Sequence, residues 1–319
     1  MFKSFQLPQI NFDSHDTVTG DFGDLPNWDL NDLYPSPDGE EITKDLKALE
    51  SNCNSFASEY QGQLDGLTAE GLLNCIERYE DIQNVAGRVM SFAGLSYYQN
   101  TSDANRSKFM ADMQSKITDF TTPLVFFSLE INNIDDEHIQ NLLNSNHKLS
   151  RYKPIIDNLR KMKPHQLSDE LEQFLHDQSV VGTAAWNRLF DETMASLKFN
   201  VDDELLSLEA TLNLLSDKNR ETREKGTRAL IKVFGENISL FSRITNTLAK
   251  EKEVEDRWRK MPTPQFSRHL ANQVEPEVVE ALRNAVVTAY PKLSHRYYAL
   301  KAKWMNLDSL EVWDRNAPL

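Results

Sequence analysis

Large apolar residues recur at helical spacing over two long stretches of this sequence. The first stretch, residues 275–305, carries Val279, Leu282, Val286, Tyr290, Leu293, Tyr297, Leu300 and Trp304. The second, residues 217–250, carries Leu230, Phe234, Ile238, Phe241, Ile244 and Leu248. Steps of three and four place side chains on one face of an α-helix, so the pattern predicts two long amphipathic helices.

Capping residues and prolines mark the ends of these two helices. Pro276 suits a first helical position, where its missing N–H needs no partner. Pro291 is expected to kink or divide the helix that follows Pro276, because it cannot donate a helical hydrogen bond. Ser216 or Asp217 can cap the start of the other helix.

The remaining sequence also favours helices over sheets. With 11 glycines and 12 prolines in 319 residues, the chain has few places for the tight turns of a sheet protein. Helices are predicted over residues 39–60, 68–99, 103–131, 135–145, 152–163 and 168–194. A strand-like alternation appears only at 196–207, where we expect at most a short β-hairpin. Residues 1–24 are polar and aperiodic, which predicts a mobile N-terminal arm. The expected fold is all-α.

Charge and cysteine content exclude several classes of protein. The sequence has 35 Lys and Arg against 49 Asp and Glu, a net charge of −14 that argues against nucleic acid or an anionic membrane as the partner. No stretch approaches the roughly 20 apolar residues that cross a bilayer, and no signal peptide is apparent. Cys53 and Cys75 lack the spacing of a zinc or redox motif. These features predict a soluble, cytoplasmic protein with reduced thiols.

Motifs that carry chemistry are largely missing. None of the seven histidines is followed by Glu, so the zinc motif H-E-x-x-H is absent. The nearest local substitute is Asp169, Glu172 and His176, which share one helical face and could hold a metal ion. An ordinary solvated acidic face is the favoured interpretation of that trio. Surface positions are similarly favoured for His138 and His147.

Two basic runs and the last residues of the sequence offer further candidates. The runs at 218–228 and 255–262 are interleaved with acids, so they favour helix surfaces with i,i+4 ion pairs over a phosphate- or peptide-binding patch. Trp313, Asp314 and Arg315 are conceivable channel residues. Burial of Trp313 beside an Asp–Arg pair that stabilises a turn is the favoured alternative.

Three segments together resemble one known family. They are "WDLNDLYPSPD" (28–38), "TAAWNRLFDE" (183–192) and the block from "LSDKNRETREKGTRAL" to "VWDRNAPL" (215–319). In this order they resemble the oligoendopeptidase F branch of the thimet-oligopeptidase-like zinc metallopeptidases, and the resemblance extends from Trp28 onward. It implies a largely helical, two-lobed enzyme that closes around a deep channel and cleaves internal bonds of short peptides.

The resemblance also implies a division of the chain. Residues 25–195 would form the N-terminal helical domain, and 196–319 the first, truncated part of the catalytic domain. The family's zinc ligands and its H-E-x-x-H glutamate lie beyond the equivalent of Leu319. No catalytic or metal-binding residue can therefore be assigned here, and the substrate-binding residues are unknown. Apolar patches are expected to be exposed on the two long helices.

Two functions fit this sequence. The first is the N-terminal portion of a zinc-dependent oligoendopeptidase, inactive by itself, whose partners are short peptides and the missing catalytic half. The second is a stand-alone helical protein that binds peptides or acts as a scaffold without catalysis. The first predicts activity only together with the missing half, whereas the second predicts a compact monomer that binds peptides tightly by itself.

Overall fold

A computed structural model describes residues 27–319, and α-helices dominate it. The first eight are α1 Glu40–Tyr60, α2 Ala69–Gln99, α3 Ala104–Thr121, α4 Val125–Asn133, α5 Asp136–Ser145, α6 His147–Ser150, α7 Lys153–Arg160 and α8 Asp169–Gln178. They are followed by α9 Thr183–Ser196, α10 Leu208–Leu214, α11 Arg220–Glu236, α12 Ile238–Trp258, α13 Phe266–Ala271, α14 Pro276–Ala289 and α15 Ser294–Trp304. The predicted mobile arm, residues 1–24, lies outside the described residues.

The described residues contain a single two-stranded sheet. Strand β1, Phe199–Val201, pairs antiparallel with β2, Glu204–Leu206. Asp202 and Asp203 form the turn with positive φ, a conformation that Asp tolerates better than most residues. The helical fold class and the short hairpin predicted from the sequence are thereby confirmed.

Three helices predicted as continuous are divided in the structure. Pro123 lacks an N–H and forms a 3₁₀ turn, so the helix predicted over 103–131 becomes α3 and α4. The prediction over 168–194 fails at Gly182, whose ψ of −126° lies outside the helical region. Asn237, with φ −100° and ψ 6°, separates α11 from α12 in the same way.

The helix ends show which capping expectations hold. Pro276 occupies the first position of α14, and the break before α15 includes Pro291, as predicted. The cap of α11 is different from the one expected. Asn219 caps this helix by accepting a hydrogen bond from the backbone N–H of Glu221, whereas Asp217 accepts one from the N–H of Asn219 and stays outside the helix.

The largest hydrophobic core lies among α1, α2 and α4 to α7. Phe56 is fully buried and contacts the rings of Tyr60, Tyr79, Phe126 and Phe127 at 4.9–6.0 Å between centroids. Tyr79 stacks on Phe127 at 4.1 Å. Such aromatic packing removes large apolar areas from water and fixes the helices relative to one another.

A much smaller core surrounds the hairpin. Phe199 from β1 packs against Ala229 and Leu230 of α11, and Phe234 contacts its ring edge-on at 5.6 Å. The apolar stripe predicted over 217–250 is therefore buried at Leu230. It is largely exposed at Ile238, where α12 begins.

A buried ionic network attaches residues 311–317 to α11. Asp314 accepts hydrogen bonds from Arg220 Nε and Nη2 at 3.0 and 2.9 Å, and from Arg223 Nη2 at 3.0 Å. Its Oδ2 also accepts the backbone N–H of Glu311 at 3.0 Å. Arg223, itself buried, donates through Nε to the carbonyl oxygen of Trp313. All polar groups of this carboxylate are thus paired, as burial requires.

The same segment is fixed to α15 by a buried lysine. Lys301 Nζ donates to the carbonyl oxygens of Arg315 and Ala317 at 2.8 and 2.7 Å. Burial, together with the nearby positive charge of Arg223, lowers the pKa of Lys301. Trp313 is half-buried, and the guanidinium groups of Arg220 and Arg228 lie 5.7 and 5.4 Å from the centroid of its ring. Asp314 thus does pair with arginine, as the favoured expectation had it, but its partners are Arg220 and Arg223 of α11 and not its neighbour Arg315.

We expect replacement of Asp314 by Ala to lower the free energy of unfolding by about 3–5 kcal/mol, because it leaves the buried Arg223 uncompensated. Urea unfolding followed by circular dichroism measures the change. Glu280→Ala is the matched control, since it removes one acid from the exposed Glu280–Arg283 pair and is expected to cost at most about 1 kcal/mol. Equal effects of the two variants would contradict a structural role for the network.

The pH dependence of stability provides an independent check. Burial opposes ionisation of Asp314, but hydrogen bonds from Arg220, Glu311 and Arg223 outweigh it and lower the pKa from 3.8 to about 2. A depressed pKa contributes stability above the unfolded value and loses it as pH falls through the folded value. The difference in unfolding free energy between the native chain and Asp314→Asn should therefore shrink from pH 4 to pH 2. A difference that stays constant across this window would be the opposite result.

Candidate binding cleft

A cleft of about 1600 Å³ lies where α8 and α9 meet α12, with residues of α2, α3 and α4 also lining it. Most of the apolar lining comes from α8 and the loops around it, where the polar Glu172, His176 and Gln178 also line the cleft. The apolar members are Leu167, Leu171, Phe174, Leu175 and Val181. Because most of them follow one another at steps of three and four, one face of α8 is directed into the cleft.

The side formed by α12 is polar. Its members are Ser239, Ser242, Arg243, Asn246, Thr247 and Lys250. They too recur at helical spacing, so a continuous stripe of hydroxyl, amide and cationic groups runs along this face. The end of the stripe carries Val254 and Trp258. Within the described part of the chain, the side chains of Ser242, Arg243 and Asn246 have no hydrogen-bond or ionic partner.

A bidentate ion pair connects the two sides of the cleft. Arg259, which follows α12, donates from Nη1 and Nη2 to the two carboxylate oxygens of Glu172 on α8, at 2.6 and 2.9 Å. The two side chains are 11% and 13% exposed. Glu172 also accepts the backbone N–H of Leu167, and Arg259 Nε donates to Glu255 at 2.6 Å. A planar guanidinium held this way fixes orientation as well as distance.

Both members of this pair are held in their charged form. Burial alone would raise the pKa of Glu172, but the hydrogen bonds from Arg259 and Leu167 lower it below its usual value. The hydrogen bond to Glu172 raises the pKa of Arg259 despite its burial. His165 adds a further contact between the two segments, since its Nδ1 lies 2.9 Å from the carbonyl oxygen of Arg259. The pair therefore stays ionised at neutral pH, and it is called the strut below.

A second contact joins α12 to the start of α9. Glu251 accepts hydrogen bonds from the backbone N–H and the hydroxyl of Thr183, at 3.2 and 3.0 Å. A carboxylate is favourable at this position because helix N-termini carry partial positive charge. The contact also explains Gly182, since a Cβ there would lie 2.6 Å from Glu251 Oε1. A larger residue here would require the carboxylate of Glu251 to move.

The acidic trio predicted from the sequence is not a metal site. Glu172 is occupied by Arg259, and His176 Nε2 lies 3.2 Å from the hydroxyl of Thr121. Among residues 27–319, no cluster of three or more His, Cys, Asp or Glu side chains could hold a metal ion. The favoured alternative of a solvated acidic face is wrong for Glu172, which is nearly buried. The trio instead contributes one member to the strut.

The other candidates lie away from the cleft. His138 is half-buried, and its Nε2 lies 3.1 Å from the carbonyl oxygen of Asp65. His147 begins the short helix α6 and is exposed. Cys53 and Cys75 are free and buried, and burial raises their pKa values to about 11 and about 12. Thiols with such values are protonated at neutral pH and cannot serve as nucleophiles.

The polar stripe of α12 was not predicted from the sequence, because the prediction considered only the apolar residues of this helix. A signal was nevertheless present. Ser239, Ser242 and Asn246 have low helix propensity, yet they stand at steps of three and four inside a long helix, and Thr247 follows directly. In the structure this face lines the cleft.

Comparison with known proteins supports the resemblance. A family model described as Oligopeptidase F matches residues 130–199. Oligopeptidase PepF of Bacillus subtilis is 24% identical over 298 residues, which are 92% of this chain and 44% of the relative. Group B oligopeptidase PepB of Streptococcus agalactiae is 23% identical over 300 residues, which are 92% and 49% of the two proteins. These matches confirm the resemblance predicted from the sequence.

The fold is similar to that of a solved structure. Oligoendopeptidase-F from Enterococcus faecium superposes with a TM-score of 0.77 at 22% identity, covering 88% of this chain and 56% of that one. The chain spans about half the length of the curated relatives that it matches. None of the helices in residues 27–319 combines the length and apolar character needed to cross a membrane.

A double-mutant cycle on Glu172→Gln and Arg259→Met tests the strut. We expect a coupling free energy of about 1.5–3 kcal/mol, as for hydrogen bonds between charged groups. The same cycle on Glu253 and Arg257, an exposed i,i+4 pair, is the control and should give about 0.3–0.5 kcal/mol. Chemical unfolding of the four variants in each cycle measures both values, and similar couplings would refute a strut at the cleft.

Proposed function

Because this chain is a relative of the oligopeptidase F proteins, we propose that it forms the N-terminal portion of such a peptidase and that its cleft holds short peptides. The observation that carries the proposal is the two-sided cleft, which receives apolar side chains mainly from α8 and a stripe of polar side chains from α12. An extended peptide has the matching chemistry, with side chains that seek apolar contacts and backbone groups that need hydrogen bonds.

Each side of the cleft would take one part of the peptide. Leu171, Phe174 and Leu175 offer apolar contacts to peptide side chains. Ser242 and Asn246 can bond peptide C=O and N–H groups, since they have no partner within the described residues. Trp258 is 56% exposed at one end of the polar stripe and offers an aromatic surface. No part of this arrangement selects a particular peptide sequence.

Hydrolysis of internal peptide bonds and the use of zinc are further parts of the proposal. The matched relatives are named oligopeptidases, and this chain spans 44–49% of their length. The described residues do not fit a zinc ion, because Glu172 is committed to Arg259 and no other suitable cluster exists among them. We therefore assign zinc and the hydrolytic step to the part of the relatives that this chain does not span.

The same proposal keeps the division of the chain made from the sequence. Residues 25–195 would form the N-terminal helical domain, and 196–319 the beginning of the catalytic domain. In this division the strut from Glu172 to Arg259 joins the two domains, and the cleft lies between them. Two buried free thiols are compatible with the reducing cytoplasm, where we place the protein.

The alternative is an independent protein that binds peptides or acts as a scaffold. The cleft is compatible with this alternative, but the exposed apolar surface of the chain is not. A self-sufficient monomer rarely exposes a contiguous apolar patch of more than a few hundred Å². Here α14 and α15 expose large apolar side chains along their whole length. This exposure favours the peptidase proposal over the alternative.

Peptide binding by the unmodified chain tests the proposal. We expect a mixture of fluorescein-labelled short unstructured peptides to bind the chain, and Trp258→Ala to weaken binding about tenfold, because an aromatic contact in the cleft is lost. Fluorescence anisotropy measures both dissociation constants. Trp28→Ala is the matched control, since Trp28 is equally exposed at 57% and lies outside the cleft.

Two results would count against the proposed cleft. Absence of binding by the native chain would remove the proposed function. Equal weakening by Trp258→Ala and Trp28→Ala would place the peptide elsewhere on the surface.

A further inference from the structure

One arginine that lines the cleft has no partner within residues 27–319. Arg243 stands on the polar stripe of α12 and is exposed. Its guanidinium group makes no hydrogen bond, ion pair or ring contact with the described residues. Because a guanidinium group is a permanent cation, the cleft offers a positive charge that a ligand can reach.

The other acidic and basic side chains of the cleft lining already have partners. Glu172 and Glu255 are bonded to Arg259, Glu251 to Thr183, and Lys250 to Glu253. The acids on α12 also lie away from Arg243. Glu251 follows it by eight residues, which is roughly 12 Å along the helix axis. Near the start of α12, the charge that remains for a ligand is therefore that of Arg243.

The surroundings of Arg243 suit an anion. Ser239 and Asn246 stand four residues before it and three residues after it on the same helical face, and Ser242 precedes it directly. In the described part of the chain, the side chains of these three residues have no hydrogen-bond partner. No side chain caps the start of α12 at Asn237, where the helix carries partial positive charge. Hydroxyl, amide and guanidinium donors thus share the positive end of this helix.

A carboxylate is the anion of a peptide that matches these donors. The planar guanidinium group can bind both oxygens of a carboxylate, and neighbouring hydroxyl groups can donate to the same oxygens. Acidic side chains occur in only some peptides, whereas every peptide has a C-terminal carboxylate. Because nothing else in the cleft selects a particular sequence, the group that all peptides share is the matching ligand.

Resting on the proposed function, we propose that Arg243 binds the C-terminal carboxylate of the peptide in the cleft. The last residues of the peptide then lie beside Ser242 and Asn246, and the preceding ones extend along the polar stripe towards Trp258. From Arg243 to Trp258 the helix rises roughly 22 Å, the length of about six or seven extended residues. Arg243 is thus a specificity-determining residue, which favours peptides that end inside the cleft over chains whose C-terminus lies elsewhere.

The experiment compares two forms of the same peptides. Pools of hexapeptides without Asp or Glu carry the uncharged dye BODIPY at the N-terminus, and they end either in a free carboxylate or in an amide. Fluorescence anisotropy measures the dissociation constant of each pool for the full chain. We expect the free acids to bind about tenfold more tightly than the amides, because only the acids form charge-assisted hydrogen bonds with Arg243.

Variants assign this preference to one side chain. Arg243→Gln should weaken binding of the acids to the level of the amides and leave binding of the amides unchanged. Arg257→Gln is the matched control, since Arg257 is an exposed arginine of the same helix that pairs with Glu253 and lies outside the cleft. It removes the same charge and should keep the tenfold preference. Circular dichroism verifies that both variants are folded.

A third pool distinguishes the two kinds of carboxylate. Its hexapeptides end in an amide and carry one internal Glu, and we expect them to bind as weakly as the other amides. Binding as tight as that of the free acids would make an acidic side chain the ligand and overturn the proposal.

Three further results would also overturn it. They are equal binding of acids and amides by the native chain, a preference that persists in Arg243→Gln, and an equal loss of preference in Arg257→Gln. Equal binding of acids and amides removes only the role of Arg243 and leaves the cleft as a peptide site. Absence of binding by every pool removes the proposed function itself, so the two failures are distinguished.

Discussion

The ion pair between Arg259 and Glu172 determines the geometry of the candidate site. It joins α12 to α8, and the contacts of His165 with Arg259 and of Glu251 with Thr183 help it to hold the two sides of the cleft together. The pair can do this because both side chains are nearly buried and the guanidinium binds both carboxylate oxygens. The cleft is consequently a property of the long-range fold, since its two sides belong to separate segments of the chain.

Both buried ionic networks use arginines from runs that local sequence reasoning treats as solvated. Arg223 lies within residues 218–228 and Arg259 within 255–262, where most neighbouring charges form the expected exposed i,i+4 pairs. Their actual partners, Asp314 and Glu172, are 91 and 87 residues away in sequence. The periodicity of a sequence cannot reveal such pairings, because it shows only which residues share one face of a helix.

The helical fold and most helix positions could be predicted, whereas the cleft could not. Proline inside a helix removes a backbone hydrogen bond, so the division at Pro291 could be predicted. Pro123 gives the same signal in the sequence, but the division there was overlooked. The break at Gly182 lies beside the carboxylate of Glu251, a contact that only the folded chain reveals. The apolar residues of α14 and α15 were recognised as a stripe, but periodicity alone cannot tell a covered stripe from an exposed one.

The two cysteines have a practical consequence. Both sulfur atoms are enclosed by the aromatic core and stay protonated at neutral pH, which protects them from electrophilic reagents. A maleimide or spin label would therefore react with an engineered surface cysteine and leave the native pair untouched. The wild-type sequence thus already provides the silent background that spectroscopic distance measurements on this molecule require.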